Sequence, residues 1–154
     1  MSNFSADLEL AQTMADAADQ IALGRFMALD LNVETKPDRS PVTDADRAVE
    51  LALRAILAEV RPTDGLIGEE FGNSDGGNRV WIIDPIDGTA NYLRGVPVWA
   101  TLLAAGDFGR ELRLKPVDFQ RVNCLYLFFD GEGERTSFRG LKLFGTTVQS
   151  SVSR

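Results

Sequence analysis

The sequence of 154 residues contains no histidine. That absence removes Ser-His-Asp triads, phosphohistidine intermediates and His-ligated zinc from consideration. The single cysteine, Cys124, excludes an intrachain disulfide, and its apolar neighbours Val122, Leu125 and Leu127 suit a buried, inert thiol. No apolar stretch approaches the roughly 20 residues that a membrane span needs. The first residues lack the basic and apolar regions of a signal peptide, so a cytoplasmic location is the expectation. Basic side chains are in the minority, 16 against 23 acidic, and the net charge of −7 argues against a nucleic-acid-binding surface. The chemistry left to such a chain runs on carboxylates, hydroxyls, backbone amides and metal.

A hydrophobic content of 44% with 25% charged residues fits a soluble globular protein, and the length fits one domain. The most informative segment is Trp81-Ile82-Ile83-Asp84-Pro85-Ile86-Asp87-Gly88-Thr89-Ala90-Asn91-Tyr92. An apolar run, read as a buried strand, ends on two aspartates three positions apart, with Pro85 between them. Hard carboxylates suit Mg²⁺, which usually takes one or two protein carboxylates and completes its shell with water and substrate phosphate. Gly88 lets the backbone approach an anion closely, and a helix starting here would add free N–H groups. A bare D-P-x-D also fits an Asx-type turn at a strand end. Thr89 also fits an ordinary helix N-cap. An acidic chain that binds phosphate needs a divalent cation to turn a carboxylate cluster into a positive site.

The block resembles the D-P-x-D-G-T-x-N signature of the inositol monophosphatase family. Gly68-Glu69-Glu70 resembles that family's G-E-E metal motif, and residues 36–47, from Lys36 to Arg47, resemble its first loop and the helix start behind it. The wording of residues 36–47 and of Arg94-Gly95-Val96-Pro97-Val98-Trp99-Ala100 is most similar to the histidinol-phosphatase branch. The resemblance implies a sugar-phosphatase α/β sandwich layered α-β-α-β-α, of which this chain holds the N-terminal portion. It implies Asp84, Asp87, the Ile86 carbonyl and Glu69 as Mg²⁺ ligands, with Glu70 in an accessory role. It implies that Thr89, together with Glu69, orients the attacking water, and that Asp87, Gly88 and Thr89 contact the substrate phosphate. Asp46 has two readings. The resemblance puts it at the border of the metal cluster, while Thr43-x-x-Asp46 is also a helix-capping pattern. Lys36 and Arg39 lie on a loop that the resemblance implies closes over the site, where Lys36 would help order water or metal. The implied reaction is Mg²⁺-dependent hydrolysis of L-histidinol phosphate. Inositol-1-phosphate or a related sugar phosphate is the alternative substrate, and a metal-binding remnant without activity is a third reading. Homodimers are common in the family, so a second copy of the chain is an expected partner.

Periodicity predicts a helix over residues 6–29 with Leu10, Met14, Ala17 and Ile21 on its apolar face and Ser5 as its cap. A second helix is marked by Val49, Leu53, Ile56 and Val60 and stops near Pro62. Short strands are predicted at residues 31–35, 66–68, 80–83 and 96–105. After residue 105 the character changes: acidic side chains outnumber basic ones about two to one before it, and the segment behind it is net basic and rich in aromatics. The resemblance covers roughly residues 5–105. Residues 106–154 are expected to form an atypical segment, truncated or divergent, and the family's W-D-x-A motif is not in the sequence.

Overall fold

The computed structural model describes residues 4–107 and the backbone of four short strands beyond them, at residues 125–129, 135–139, 142–143 and 146–147. Cys124 and residues 148–154 lie outside the described residues. Helix α1 (Phe4–Arg25) is followed by a two-stranded antiparallel pair, β1 (Val33–Thr35) and β2 (Pro41–Thr43), and then by helix α2 (Asp44–Val60). Strands β3 (Gly65–Gly68), β4 (Gly72–Ser74) and β5 (Arg79–Asp87) follow, then the short helix α3 (Thr89–Leu93) and strand β6 (Ala100–Asp107). One four-stranded sheet results, in the order β4-β3-β5-β6. The later strands are β7 (Leu125–Phe129), β8 (Arg135–Arg139), β9 (Lys142–Leu143) and β10 (Thr146–Thr147), paired β7 with β8 and β9 with β10.

Helix α1 turns Leu10, Ala11, Met14, Ala15, Ala18 and Ala22 into the core. Four of these six are alanines, whose small side chains let a helix approach its neighbour closely, and α1 packs on α2. The predicted face therefore holds at Leu10 and Met14, while Ala17 and Ile21 are only half-buried. The helix also ends at Arg25 rather than residue 29, and Ser5 lies within its first turn instead of before it. Met27, two residues later, takes a left-handed φ of 61°, which ends the helical path.

Helix α2 starts as its sequence predicts. Thr43 caps it, accepting from the Asp46 N–H at 3.2 Å, and Asp46 Oδ2 accepts from the Thr43 N–H at 2.8 Å. Two of the helix's orphan donor positions are thus closed reciprocally. Ala45, Val49, Leu53 and Leu57 face the core, and Val60 is exposed, so the apolar stripe runs through Leu57. Arg61 ends the helix with its N–H on the Leu57 carbonyl, one residue before Pro62.

Strand β5 is the centre of the sheet, parallel to β3 on one side and antiparallel to β6 on the other. A strand paired on both edges and covered on both faces reads as a continuous apolar run, and Val80, Trp81, Ile82 and Ile83 are all buried. The strand runs on through Asp84 to Asp87, further than its apolar residues suggest. Pro85 has no N–H for the ladder, and the β5–β6 register shifts between Asp84 and Asp87. The Thr101 hydroxyl donates to the freed Pro85 carbonyl at 2.7 Å. On the partner side β6 begins at Ala100, so residues 96–99 of the predicted strand form the approach to it. Among the described residues no helix is long and apolar enough to cross a membrane.

Candidate active site

The parallel register of β3 and β5 builds the site. Gly65 lies beside Val80 and Gly68 beside Ile83, so the next residue of each strand, Glu69 and Asp84, emerges at the same end of the sheet. Their carboxyl groups meet there. Asp84 is half-buried, and burial pushes its pKa from 3.8 up to about 8, with hydrogen bonding to Glu69 and the charges of Glu69, Asp87 and Asp46 adding to the rise. Among the described residues its Oδ1 is buried with no hydrogen-bond partner. Burial also raises the pKa of Asp46 and of Glu70, against the lowering effect of their hydrogen-bond partners. Carboxylates that raise one another in this way resist joint ionisation unless positive charge is supplied.

One cation is already present. The Lys36 ammonium donates to Glu69 Oε1 at 2.8 Å and to Glu70 Oε1 at 2.6 Å. Burial lowers the lysine's pKa, but the two carboxylates outweigh it and the net shift is upward. Lys36 is therefore neither an idle surface lysine nor poised over open solvent. Its loop is closed by the Lys36 N–H on the Ser40 carbonyl and by Asp38, which accepts from the Ser40 N–H and hydroxyl. Arg39, at the tip with a φ of 72°, stays exposed.

Thr89 stands on the other side of the cluster. Its hydroxyl donates to the Ile86 carbonyl at 2.9 Å and lies 3.2 Å from Asp46 Oδ1. It is the first residue of α3, and the N-cap is Gly88 at a left-handed φ of 87°, so the capping alternative for Thr89 does not hold. Asp46 plays its capping role and touches Thr89 as well, with one oxygen for each. Asn91 is turned away, donating from Nδ2 to the Val98 carbonyl at 2.9 Å. Asp87 is exposed at the end of β5. Helix α3 is a short one of five residues, Thr89–Leu93, and its Asn91 and Tyr92 N–H groups close on the Gly88 carbonyl.

Gly88 is required by its setting. A Cβ there would lie 3.0 Å from the Val98 carbonyl oxygen, on a backbone that non-glycine residues adopt at a cost. Gly88→Ala is expected to destabilise the chain by about 1–2 kcal/mol, the left-handed penalty for an L-residue. Urea denaturation of the two proteins measures it, and an unchanged midpoint would refute the strain.

Residues 5–111 fit the model of the inositol monophosphatase family. The chain belongs to the inositol monophosphatase family. It is 58% identical over 104 residues to a histidinol-phosphatase of Streptomyces coelicolor, covering 68% of this chain and 39% of that one. It is 60% identical over 99 residues to a histidinol-phosphatase of Mycobacterium tuberculosis, covering 64% and 38%. Among solved structures, an inositol monophosphatase from Zymomonas mobilis superposes with a TM-score of 0.64 at 37% identity, over 92% of this chain and 49% of that one. The chain thus spans about two fifths of these two curated relatives and about half of the structural one. Its fold is the α/β fold of the inositol monophosphatase family.

Of the residues expected from the family motifs, Glu69, Glu70, Asp84, Asp46, Thr89 and Lys36 are brought to one end of the sheet. Among the described residues, however, no three acidic, histidine or cysteine side chains converge closely enough to hold a metal ion. Lys36 draws Glu69 and Glu70 to itself, and Asp46 is turned to its own helix cap. The donor set nevertheless fits a hard divalent cation: all oxygen, with carboxylates that raise the pKa of Asp84, whose Oδ1 has no hydrogen-bond partner among the described residues.

One residue of this region escaped the sequence reading. Glu50, on α2 one turn beyond Asp46, has a fully buried side chain that binds the loop carrying Glu69. The available signal was an acid on the apolar face of a helix, between Val49 and Leu53.

Proposed function

We propose that residues 1–105 carry the metal- and phosphate-binding part of a Mg²⁺-dependent phosphate monoester hydrolase that acts on L-histidinol phosphate. The observation that carries the reading is the meeting of the Asp84 and Glu69 side chains, each one residue past the last parallel pair of β3 with β5, where Asp84 Oδ1 has no hydrogen-bond partner among the described residues. The choice of ester is supported by the 58–60% identity to proteins named histidinol-phosphatase. Glu69, Asp84, Asp87, the Ile86 carbonyl and Asp46 would hold Mg²⁺. The bound ion would lower the pKa of a water and neutralise the departing ester oxygen.

The chain's own groups do the rest. The Thr89 proton is held toward the Ile86 carbonyl and Asp46, which leaves the lone pairs of Oγ1 free to accept from an attacking water. Gly88 has no side chain to obstruct a phosphate, and Asp87 and Thr89 flank it. Phosphoryl transfer depends chiefly on positioning and electrostatics, so a fixed Thr89 and a bare Gly88 are suitable equipment. The same reading makes the protein a cytoplasmic enzyme of histidine biosynthesis, acting on a small ester as a homodimer.

Phosphate release tests it. The purified chain is expected to hydrolyse L-histidinol phosphate with Mg²⁺ and to stop with EDTA, and to release phosphate from inositol-1-phosphate at least about tenfold more slowly. A reversed preference would favour the inositol-phosphate reading, which the Zymomonas mobilis structure supports at 37% identity. Silence on both esters from a folded chain would leave a metal-binding remnant.

A further inference from the structure

We infer that Glu50 is a positioning residue that sets the place of Glu69 from inside helix α2, an inference that rests on the reading of Glu69 as a metal-holding residue. The side chain of Glu50 is 0% exposed. A carboxylate so deeply buried is tolerated when its lone pairs are taken up by donors. Oε2 accepts from the Glu70 N–H at 2.7 Å, and Oε1 accepts from the Phe71 N–H at 3.1 Å and from Arg54 Nε at 2.8 Å. Arg54 also donates to the Gly72 carbonyl. The acid and its guanidinium therefore grip consecutive backbone groups just behind Glu69.

Gly68 gives an independent sign of this grip. A Cβ at that position would run into the Glu50 carboxylate and the Arg54 guanidinium, so the glycine before Glu69 is the residue that lets the pair reach the loop. Asp46 and Glu50 are both buried and four residues apart, hence on one face of α2. One touches Thr89, the other holds the Glu69 loop, and so a single helix turn fixes two arms of the site relative to each other. Glu69 itself is 41% exposed and is held from its side chain by Lys36. Without Glu50 its backbone would lose the grip from the inside.

The test is a titration with Mn²⁺ alone, followed by loss of the free-ion EPR signal, on wild type, Glu69→Gln, Glu50→Gln and Gly68→Ala. Mn²⁺ takes the same carboxylate donors as Mg²⁺. Glu50→Gln keeps the shape but turns an amide NH₂ toward donors, and it is expected to weaken Mn²⁺ about 10–100-fold, the scale for a residue that orients a metal ligand. Hydrogen exchange at the Glu70 and Phe71 amides should accelerate. In the phosphate-release assay the Mg²⁺ requirement should rise while kcat recovers at saturating ion. Gly68→Ala, which displaces the loop and leaves the Glu50 charge intact, should weaken Mn²⁺ in the same way and serves if Glu50→Gln does not fold. Wild-type affinity in either folded variant, with Glu69→Gln weakened, would overturn the role of Glu50 alone. Wild-type affinity in Glu69→Gln, or no Mn²⁺ binding by wild type, would overturn the metal reading and this inference with it.

Discussion

Replacing Asp84 with Asn is expected to cut metal-dependent phosphate release by at least about a hundredfold, beyond the 10–100-fold typical of losing even an outer partner of a metal site. The same change is expected to stabilise the metal-free chain near neutral pH. Both follow from the position of Asp84: half-buried beside Glu69, close to the charges of Asp87 and Asp46, with Oδ1 unpartnered among the described residues. Its folded pKa of about 8 lies above the ordinary value of 3.8. Between these values the folded chain keeps a proton that the unfolded chain releases. Stability therefore falls as pH rises from about 4 to about 8, and the loss is complete above the folded pKa. The raised pKa values of Asp46 and Glu70 add to the same slope. Urea denaturation without divalent ions, at several pH values across this window, should show a shallower slope for Asp84→Asn than for wild type. Mg²⁺ should restore wild-type stability at the upper end, because the ion takes the place of the proton. Equal slopes for the two proteins would mean that Asp84 is not the strained acid.

The largest stability effect is expected at Tyr92, behind the site. Its side chain is 1% exposed, its hydroxyl donates to the Ala22 carbonyl at 2.6 Å, and its ring lies 5.3 Å from Phe26 and 5.0 Å from Trp99, centroid to centroid. These contacts join the end of α1 to α3 and to the start of β6. Tyr92→Ala removes a large buried aromatic and should cost about 3–5 kcal/mol. That is a substantial share of a domain stability that is typically about 5–15 kcal/mol. Tyr92→Phe should cost only about 1 kcal/mol, because the Ala22 carbonyl retains the Phe26 N–H at 2.9 Å and is not left bare. Chemical denaturation of both variants checks the pair of values. A loss below about 1 kcal/mol for the alanine variant would show that the cluster can collapse around the gap.

Much of this was legible in the chain. The capping box of α2 is written within four consecutive residues, Thr43 to Asp46, and local hydrogen bonds need no distant partner. The buried run of β5 is equally local, as is the break at Pro85, where the missing N–H interrupts the ladder whatever lies beside it. Less legible was the extent of β5, since Asp84 and Asp87 read as residues beyond a strand yet are paired with β6. The face of α1 was half legible. Alanines carry little periodic signal, and which of them are buried is settled by the approach of α2. Thr89 read equally well as a cap or as a hydroxyl aimed elsewhere, because the choice depends on Gly88 adopting a left-handed backbone.

The sequence by itself determined which donors are on offer: with no histidine and one cysteine they are oxygen groups, and the motifs it resembles single out Glu69, Asp84, Asp87 and Thr89 among them. Only the tertiary structure decided which of them meet. Glu69 and Asp84 are fifteen positions apart in the chain, and the parallel register of β3 with β5 makes them neighbours. Lys36 and Glu50 reach the same loop from the β1–β2 connection and from α2, one gripping its side chains and the other its backbone. A charged group's partners are set by distances in space, and no pattern along the chain encodes those distances.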